Sequence, residues 1–311
     1  MKRNIKKSLS AALAALFFGM GLVGCTQGDG ISASGDTVKI VTTNFALYDF
    51  ARVYENDRIQ AEMLIAPGSE SHDLEVTLSD ISVISSADIF VYAGGESDTW
   101  VDAVFESLGA EGEDIVRICA LDVVEGLEET HTHEGELHTT EDEHVWTSIP
   151  NAMKLIREIG QAIQQVDETE ELSEAEASLA DLNELDAEYR EMMASASRNE
   201  IVVADRFPFV YLAEEYGIEY TAAFDGCTSN VEVPLAVINT LIDEVREKQL
   251  PAVFYIEFSD RTAVNAVCEE TGAEPLLLHS CHNVTKEDFE AGVTYLDLMR
   301  RNLENLKKAL N

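Results

Sequence analysis

Asp88-Ile89-Phe90-Val91-Tyr92, followed by Ala93-Gly94-Gly95, is the stretch on which the fold turns. An unbroken apolar run of β-branched and aromatic side chains, stopped by a glycine pair, reads as a buried strand. Upstream, residues 38–43 and 59–65 read as two further strands with a helical pattern over 45–54 between them, and 76–85 has helical spacing. Downstream, 100–108 is helical and 115–119 makes a fourth strand. Strands alternating with helices imply a parallel sheet with helices on both faces.

The order recurs after residue 200. Strands are expected at 201–203, 218–224, 252–256 and 276–278, with helices at 209–216, 233–247, 263–271 and 294–310. Between the two units, 150–196 is almost continuous helical pattern, broken at Asp167-Glu168-Thr169. Its second piece is rich in Glu, Ala and Leu, which have high helix propensity, and suits a stiff strut. The fold class is therefore α/β: two similar lobes, each a mostly parallel sheet flanked by helices, joined by a long rigid helix, with the ligand site in the cleft between them. The expected boundaries are 37–148 for the first lobe, 149–198 for the connecting helices and 199–311 for the second lobe. Residues 125–143, rich in Glu, His and Thr and without apolar periodicity, read as a mobile loop of the first lobe.

The N-terminal residues indicate a compartment. Lys2, Arg3, Lys6 and Lys7 precede an apolar run over 9–23, too short to span a membrane as a mature helix. Leu22-Val23-Gly24-Cys25 resembles a bacterial lipobox, so residues 1–24 are expected to be a lipoprotein signal peptide and Cys25 the lipid-bearing residue. Residues 25–36, with Gly, Ser and Asp, read as a flexible tether. The protein is then extracytoplasmic and lipid-anchored to the bacterial cell membrane, its bilayer contact made through Cys25, and a monomer is expected.

The net charge of −38 argues against a nucleic-acid partner, which needs a basic footprint. Without residues 1–24, which hold four basic and no acidic residues, 17 basic residues face 59 acidic ones, a net of −42. Most of those carboxylates read as a solvated surface. Cys119, Cys227, Cys268 and Cys281 remain beyond Cys25. Sequence does not give their pairing; Cys227 and Cys281 both fall in polar loops and are the favoured disulfide, while Cys268 reads as a small buried residue.

All seven histidines fall in three loop-like segments. His72 follows the second strand; His131, His133, His138 and His144 follow the fourth; His279 and His282 follow the last. Asp205 follows the first strand of the second lobe. Ligands in open α/β sheets gather at the carboxyl ends of strands, so these segments are expected to converge on the cleft. Neutral imidazole is the commonest side-chain ligand for zinc and related metals.

With those residues in place, the chain resembles the substrate-binding lipoproteins of bacterial zinc and manganese ABC importers. The likeness runs from about Val38 to Leu310. Its markers are Pro67-Gly68 leading to His72-Asp73, Asp142-Glu143-His144-Val145-Trp146, Phe209-Val210-Tyr211-Leu212-Ala213-Glu214-Glu215-Tyr216-Gly217, and Thr294-Tyr295-Leu296 with Asn302-Leu303. The resemblance implies a buried four-ligand site, no catalysis, and delivery of the cation to a membrane permease driven by a cytoplasmic ATPase. Carried over by position, His72 and His144 match the two ligands of the first lobe, and His279 falls where many members place a carboxylate from the second. Where the family has His or Glu before the Phe-x-Tyr element, this chain has Arg206, which cannot bind a cation. Asp205 is the substitute ligand, with an ion pair to Arg206 as the alternative; Glu257 reads as an ion-pair partner, and His282 is left without a role.

His131, His133 and His138 are assigned to an auxiliary metal-collecting arm that feeds the cleft. Two or three imidazoles with one carboxylate suit tetrahedral Zn2+, whereas Mn2+ prefers more oxygen donors. The expected function is high-affinity capture of zinc and its delivery to an ABC permease. Two alternatives stand: a manganese or iron receptor of the same class, and an extracellular zinc metallohydrolase, for which no His-Glu-x-x-His motif is present. A cell-adhesion role has no adhesive repeat to support it.

Overall fold

A computed structural model describes residues 37–69, 76–133, 136–169, 173–224 and 232–311. The first half runs β1 (Val38–Thr42), α1 (Phe45–Arg52), β2 (Ile59–Met63), α2 (Leu78–Ser85), β3 (Ile89–Tyr92), α3 (Val101–Leu108), α4 (Ala110–Glu113) and β4 (Val116–Cys119). All pairings are parallel, in the order β2-β1-β3-β4. After α5 (Ala120–Val123) come the hairpin strands β5 (Glu128–His133) and β6 (Glu136–Glu141), a 3-10 turn at Val145–Thr147, and the helices α6 (Ile149–Val166) and α7 (Glu174–Ser195). The second half runs β7 (Glu200–Val203), α8 (Val210–Tyr216), β8 (Glu219–Ala222), α9 (Leu235–Lys248), β9 (Ala252–Tyr255), α10 (Thr262–Thr271), β10 (Glu274–Leu277), α11 (Lys286–Glu290) and α12 (Tyr295–Leu310). Its sheet, β10-β9-β7-β8, is also parallel and repeats the first order strand for strand.

Strand alternation explains how both sheets are covered on two faces. Ile40, Ile89 and Val91 from the first sheet, with Ile201, Val203 and Phe254 from the second, share one core. The alternate residues turn away: Val41 and Phe90 join a small cluster under α3, and Val202, Val253 and Tyr255 join one under α9 and α10. Side chains on opposite faces of a pleated strand require two covering layers, which the flanking helices supply.

The connecting helices are part of that core. Ser148 caps α6 by accepting from the Asn151 N–H, Pro150 sits in the first turn, and Ile149, Ala152, Ile156, Ile159 and Ile163 form a buried stripe at helical spacing. At about 1.5 Å per residue, α7 is roughly 33 Å long. It packs on α6, α8 and α12, burying Leu182, Leu185, Tyr189 and Met192, and the Tyr189 hydroxyl donates to the Met299 carbonyl at 2.7 Å.

The stretch read as a mobile loop contains a two-stranded antiparallel hairpin. Thr130, Thr132, Thr139 and Thr140 are β-branched, so β propensity outweighs the missing apolar alternation. The hairpin base is tied down: the Asp142 N–H donates to the Leu127 carbonyl (2.8 Å), and the Leu127 N–H donates to the Tyr211 hydroxyl (3.0 Å), which itself donates to the Asp142 carbonyl (3.0 Å).

The signal and tether residues, Cys25, His72 and Cys227 lie outside the described residues, as do the side chains of His131, His133 and His138. Cys281, expected to pair with Cys227, is a free, fully buried thiol among the described residues. Its place is in the common core, where it packs as a small apolar side chain. Among the described residues, no helix is long and apolar enough to cross a membrane.

Candidate metal centre

The turn between the hairpin and α6 builds the first half of the site. Asp142 is fully buried, and its Oδ1 accepts the backbone N–H of His144 at 2.8 Å and lies 3.3 Å from His144 Nδ1. A carboxylate at Nδ1 draws the proton there and leaves Nε2 as the electron-pair donor, the arrangement that orients a histidine toward a metal. The His144 ring lies edge-on to Trp146, with centroids 5.4 Å apart.

The second half comes from the segment after β10. The His282 ring lies 5.2 Å from His144 at 82° and 5.2 Å from Trp146 at 61°, so three aromatic rings meet edge to face. Trp146 Nε1–H donates to the Ser280 carbonyl at 2.8 Å, the His282 N–H donates to Ser280 Oγ at 3.1 Å, and the His282 carbonyl accepts the Phe45 N–H at 2.9 Å.

His279, the expected second-lobe ligand, is held by neighbouring polar groups. Its Nδ1 accepts the Cys281 N–H at 3.0 Å, its backbone is held on both sides by Asn302 (2.7 and 2.8 Å), and Glu257 Oε2 stands 3.7 Å from Nδ1. The geometry therefore brings His282, and not His279, to His144. Two rings three positions apart around a tight bend face different ways, and Cys281, at φ 61°, makes that bend. Glu257, read from the sequence as an ion-pair partner, accepts from the Ser280 N–H at 2.8 Å and from its hydroxyl.

Asp205 and Arg206 are paired with each other. Asp205 Oδ1 accepts the Arg206 N–H at 2.9 Å and lies 3.7 Å from its Nε. Both line a cavity of about 450 Å³ at the carboxyl ends of β7 and β9, with Glu232, Phe258, Asp260 and Thr262, which none of the described histidines borders. The ion-pair alternative describes Asp205, and the ligand expectation finds no support in this geometry. Among the described residues no three His, Cys, Asp or Glu side chains are grouped to hold a metal. The pair His144 and His282 is the convergence they do show.

Two carboxylates beside this pair were not singled out by sequence. Glu143 is buried and accepts from the N–H (3.0 Å) and hydroxyl of Ser97; burial pushes its pKa up. Asp98 accepts the N–H groups of Ala93 (2.7 Å) and Gly94 (3.1 Å), and burial, with the Glu143 charge beside it, pushes its pKa up to about 7. Gly95, at φ +69°, leaves the room Glu143 needs, since a Cβ there would fall 2.8 Å from its Oε2. The glycine pair that marked the end of β3 was the available signal.

Comparison with known proteins follows this geometry. The family model described as zinc-uptake complex component A, periplasmic, matches residues 40–309. The chain belongs to that zinc-uptake component A family. It is 30% identical over 96% of its length to the high-affinity zinc uptake system protein ZnuA of Bacillus subtilis (strain 168), and covers 96% of that protein. It is also 30% identical to the zinc-binding lipoprotein AdcA of Streptococcus pneumoniae (strain R6), over 96% of this chain, but spans only 60% of that longer relative. Among solved structures, the Zn(II)-bound ZnuA-like domain of S. pneumoniae AdcA superposes with a TM-score of 0.73 at 28% identity, covering 88% of this chain and 99% of that one. Members of the component A family have the two-lobed α/β architecture seen here, and that family is one of transporter solute-binding proteins.

Proposed function

We propose that this protein captures Zn2+ outside the cytoplasmic membrane with His72, His144 and His282 and passes it to the permease of an ABC importer. The observation that carries the ligand set is the approach of the His282 ring to His144, whose Nδ1 is held by Asp142. Imidazole donors favour zinc over manganese, and the zinc-uptake family of the chain agrees with that preference. The lipobox at Cys25 fits a chain tethered to the bilayer it serves, and AdcA is itself described as a lipoprotein.

The hairpin is assigned the collecting role. In its register His131 stands opposite His138, His133 opposite Glu136 and Glu129 opposite Thr140. Three histidines among glutamates and threonines in one short ribbon are a composition suited to weak cation binding.

Titration of the purified protein with Zn2+ and with Mn2+, followed by anomalous scattering at the zinc edge, tests the reading. A site that takes manganese with several oxygen ligands and refuses zinc overturns it.

A further inference from the structure

The chain changes partners between His279 and His282. Up to Ser280 it is bonded to the second half. The Leu278 N–H donates to the Tyr255 carbonyl at 2.9 Å, Asn302 holds the His279 backbone, and Glu257 accepts the Ser280 N–H at 2.8 Å. After the bend at Cys281 it is bonded to the first half. The Phe45 N–H donates to the His282 carbonyl at 2.9 Å, and the Gly68 N–H to the Val284 carbonyl at 2.7 Å. Arg52 Nη2 donates to the Val293 carbonyl at 3.1 Å, and the Tyr295 N–H to Asp49 Oδ2 at 2.7 Å. Residues 282–295 therefore form a strap fastened at both ends to α1, and His282 rides on the same lobe as His144.

Trp146 grips that strap where it begins. The residue is fully buried, and its Nε1–H, donated to the Ser280 carbonyl at 2.8 Å, holds the chain two residues before His282. A buried indole N–H needs such a partner, and this one fixes the way the ring faces. The ring then meets both imidazoles edge to face, with centroids 5.4 Å from His144 and 5.2 Å from His282. The far end of the strap returns to the same residue, since the Tyr295 hydroxyl donates to the Trp146 carbonyl at 2.7 Å.

The spacing this produces suits zinc. The His144 and His282 centroids are 5.2 Å apart. With Zn–N bonds of about 2.0–2.1 Å, two imidazoles on one tetrahedral zinc have ring centres roughly 5.2 Å apart. The pair stands at a chelating separation before any ion arrives.

We propose that Trp146 is a positioning residue for zinc capture, holding the strap that carries His282 against the turn that carries His144, so that the two ligands form one preset pair on the first lobe. The proposal rests on the reading that His144 and His282 bind zinc. Loss of the indole N–H leaves both imidazoles in the chain and frees the backbone beside one of them.

The test is zinc affinity and zinc dissociation rate, by competition with chromophoric chelators of graded strength, for wild type, Trp146→Phe, His282→Ala and the double variant. Trp146→Phe keeps an aromatic ring and removes the N–H. Trp146→Tyr is carried in parallel, so that the result does not depend on folding of one variant. Trp146→Phe is expected to weaken zinc binding about 10–100-fold, the range for groups that orient metal ligands, chiefly through faster dissociation. In the His282→Ala background the same substitution is expected to change affinity less than about twofold, because the ligand it positions is gone. A purely structural role gives losses that multiply. Wild-type affinity in both Trp146 variants, or multiplying losses, overturns the positioning role while the ligand reading stands. A wild type that fails to bind zinc tightly, or a His282→Ala variant that binds normally, overturns the ligand reading and the positioning role together.

Discussion

One oxygen of Asp142 holds His144 twice, through its backbone N–H at 2.8 Å and at its ring Nδ1, 3.3 Å away. Asp142 is wholly buried, and its other oxygen, Oδ2, has no hydrogen-bond partner among the described residues. The carboxylate therefore serves the histidine above all. Replacing Asp142 with Asn keeps the shape and removes the charge that draws the proton to Nδ1. Zinc affinity is expected to fall about 10–100-fold with the unfolding transition still cooperative. An Asp142→Asn protein with unchanged affinity in a chelator competition would show that the ring is oriented by Trp146 packing alone.

The proposed ligand role of His282 in place of His279 is tested by paired alanine variants. His282→Ala is expected to lose roughly 100-fold or more in zinc affinity, beyond the range for an outer-shell partner. His279→Ala removes a ring whose Nδ1 accepts the Cys281 N–H, and is expected to cost about 1–3 kcal/mol of stability with affinity changed only a few-fold. Calorimetric titration and urea unfolding of both variants distinguish the two, and the reverse pattern returns the ligand role to His279.

These two histidines show where sequence reasoning stopped. The alternation of strands and helices was legible, because periodicity and turn residues act locally. Which of His279 and His282 faces the cleft depends on the bend at Cys281 and on anchoring by Asn302 and Trp146, contacts more than twenty residues away in sequence. The hairpin was missed for a different reason. Leu137 is the single apolar residue of its two strands, so no apolar alternation reveals them.

Asp205→Ala addresses the fourth ligand. Asp205 meets Arg206, 7% exposed, and removing one carboxylate beside a buried guanidinium is expected to lower stability by about 1–3 kcal/mol. Zinc affinity is expected to stay within a few-fold. A collapse of affinity with little change in stability would restore Asp205 as a ligand.

Deleting residues 130–140 removes His131, His133 and His138 but leaves Leu127, Asp142 and Tyr211 in place. Tight binding of one zinc is expected to persist, and the weaker, additional zinc uptake seen at higher concentration is expected to vanish from the titration. Loss of the tight phase would mean that the hairpin contributes to the central site.

Asp98 makes stability depend on pH in a stated direction. Its carboxyl pKa is raised from 3.8 to about 7 by burial and by the neighbouring Glu143, so between those values the folded state holds a proton that the unfolded chain has lost. Stability from this group is complete below the unfolded value and is lost as pH rises through the folded one. Going from pH 5.5 to pH 8 is expected to cost on the order of 2 kcal/mol in the wild type, since each unit of pKa difference corresponds to about 1.4 kcal/mol. Asp98→Asn has no proton to lose, and its stability is expected to change less over the same interval. Urea unfolding of the zinc-free proteins at the two pH values measures the difference. Equal slopes in wild type and variant would show that Asp98 is already ionised in the folded protein, with its charge carried by the Ala93 and Gly94 N–H groups.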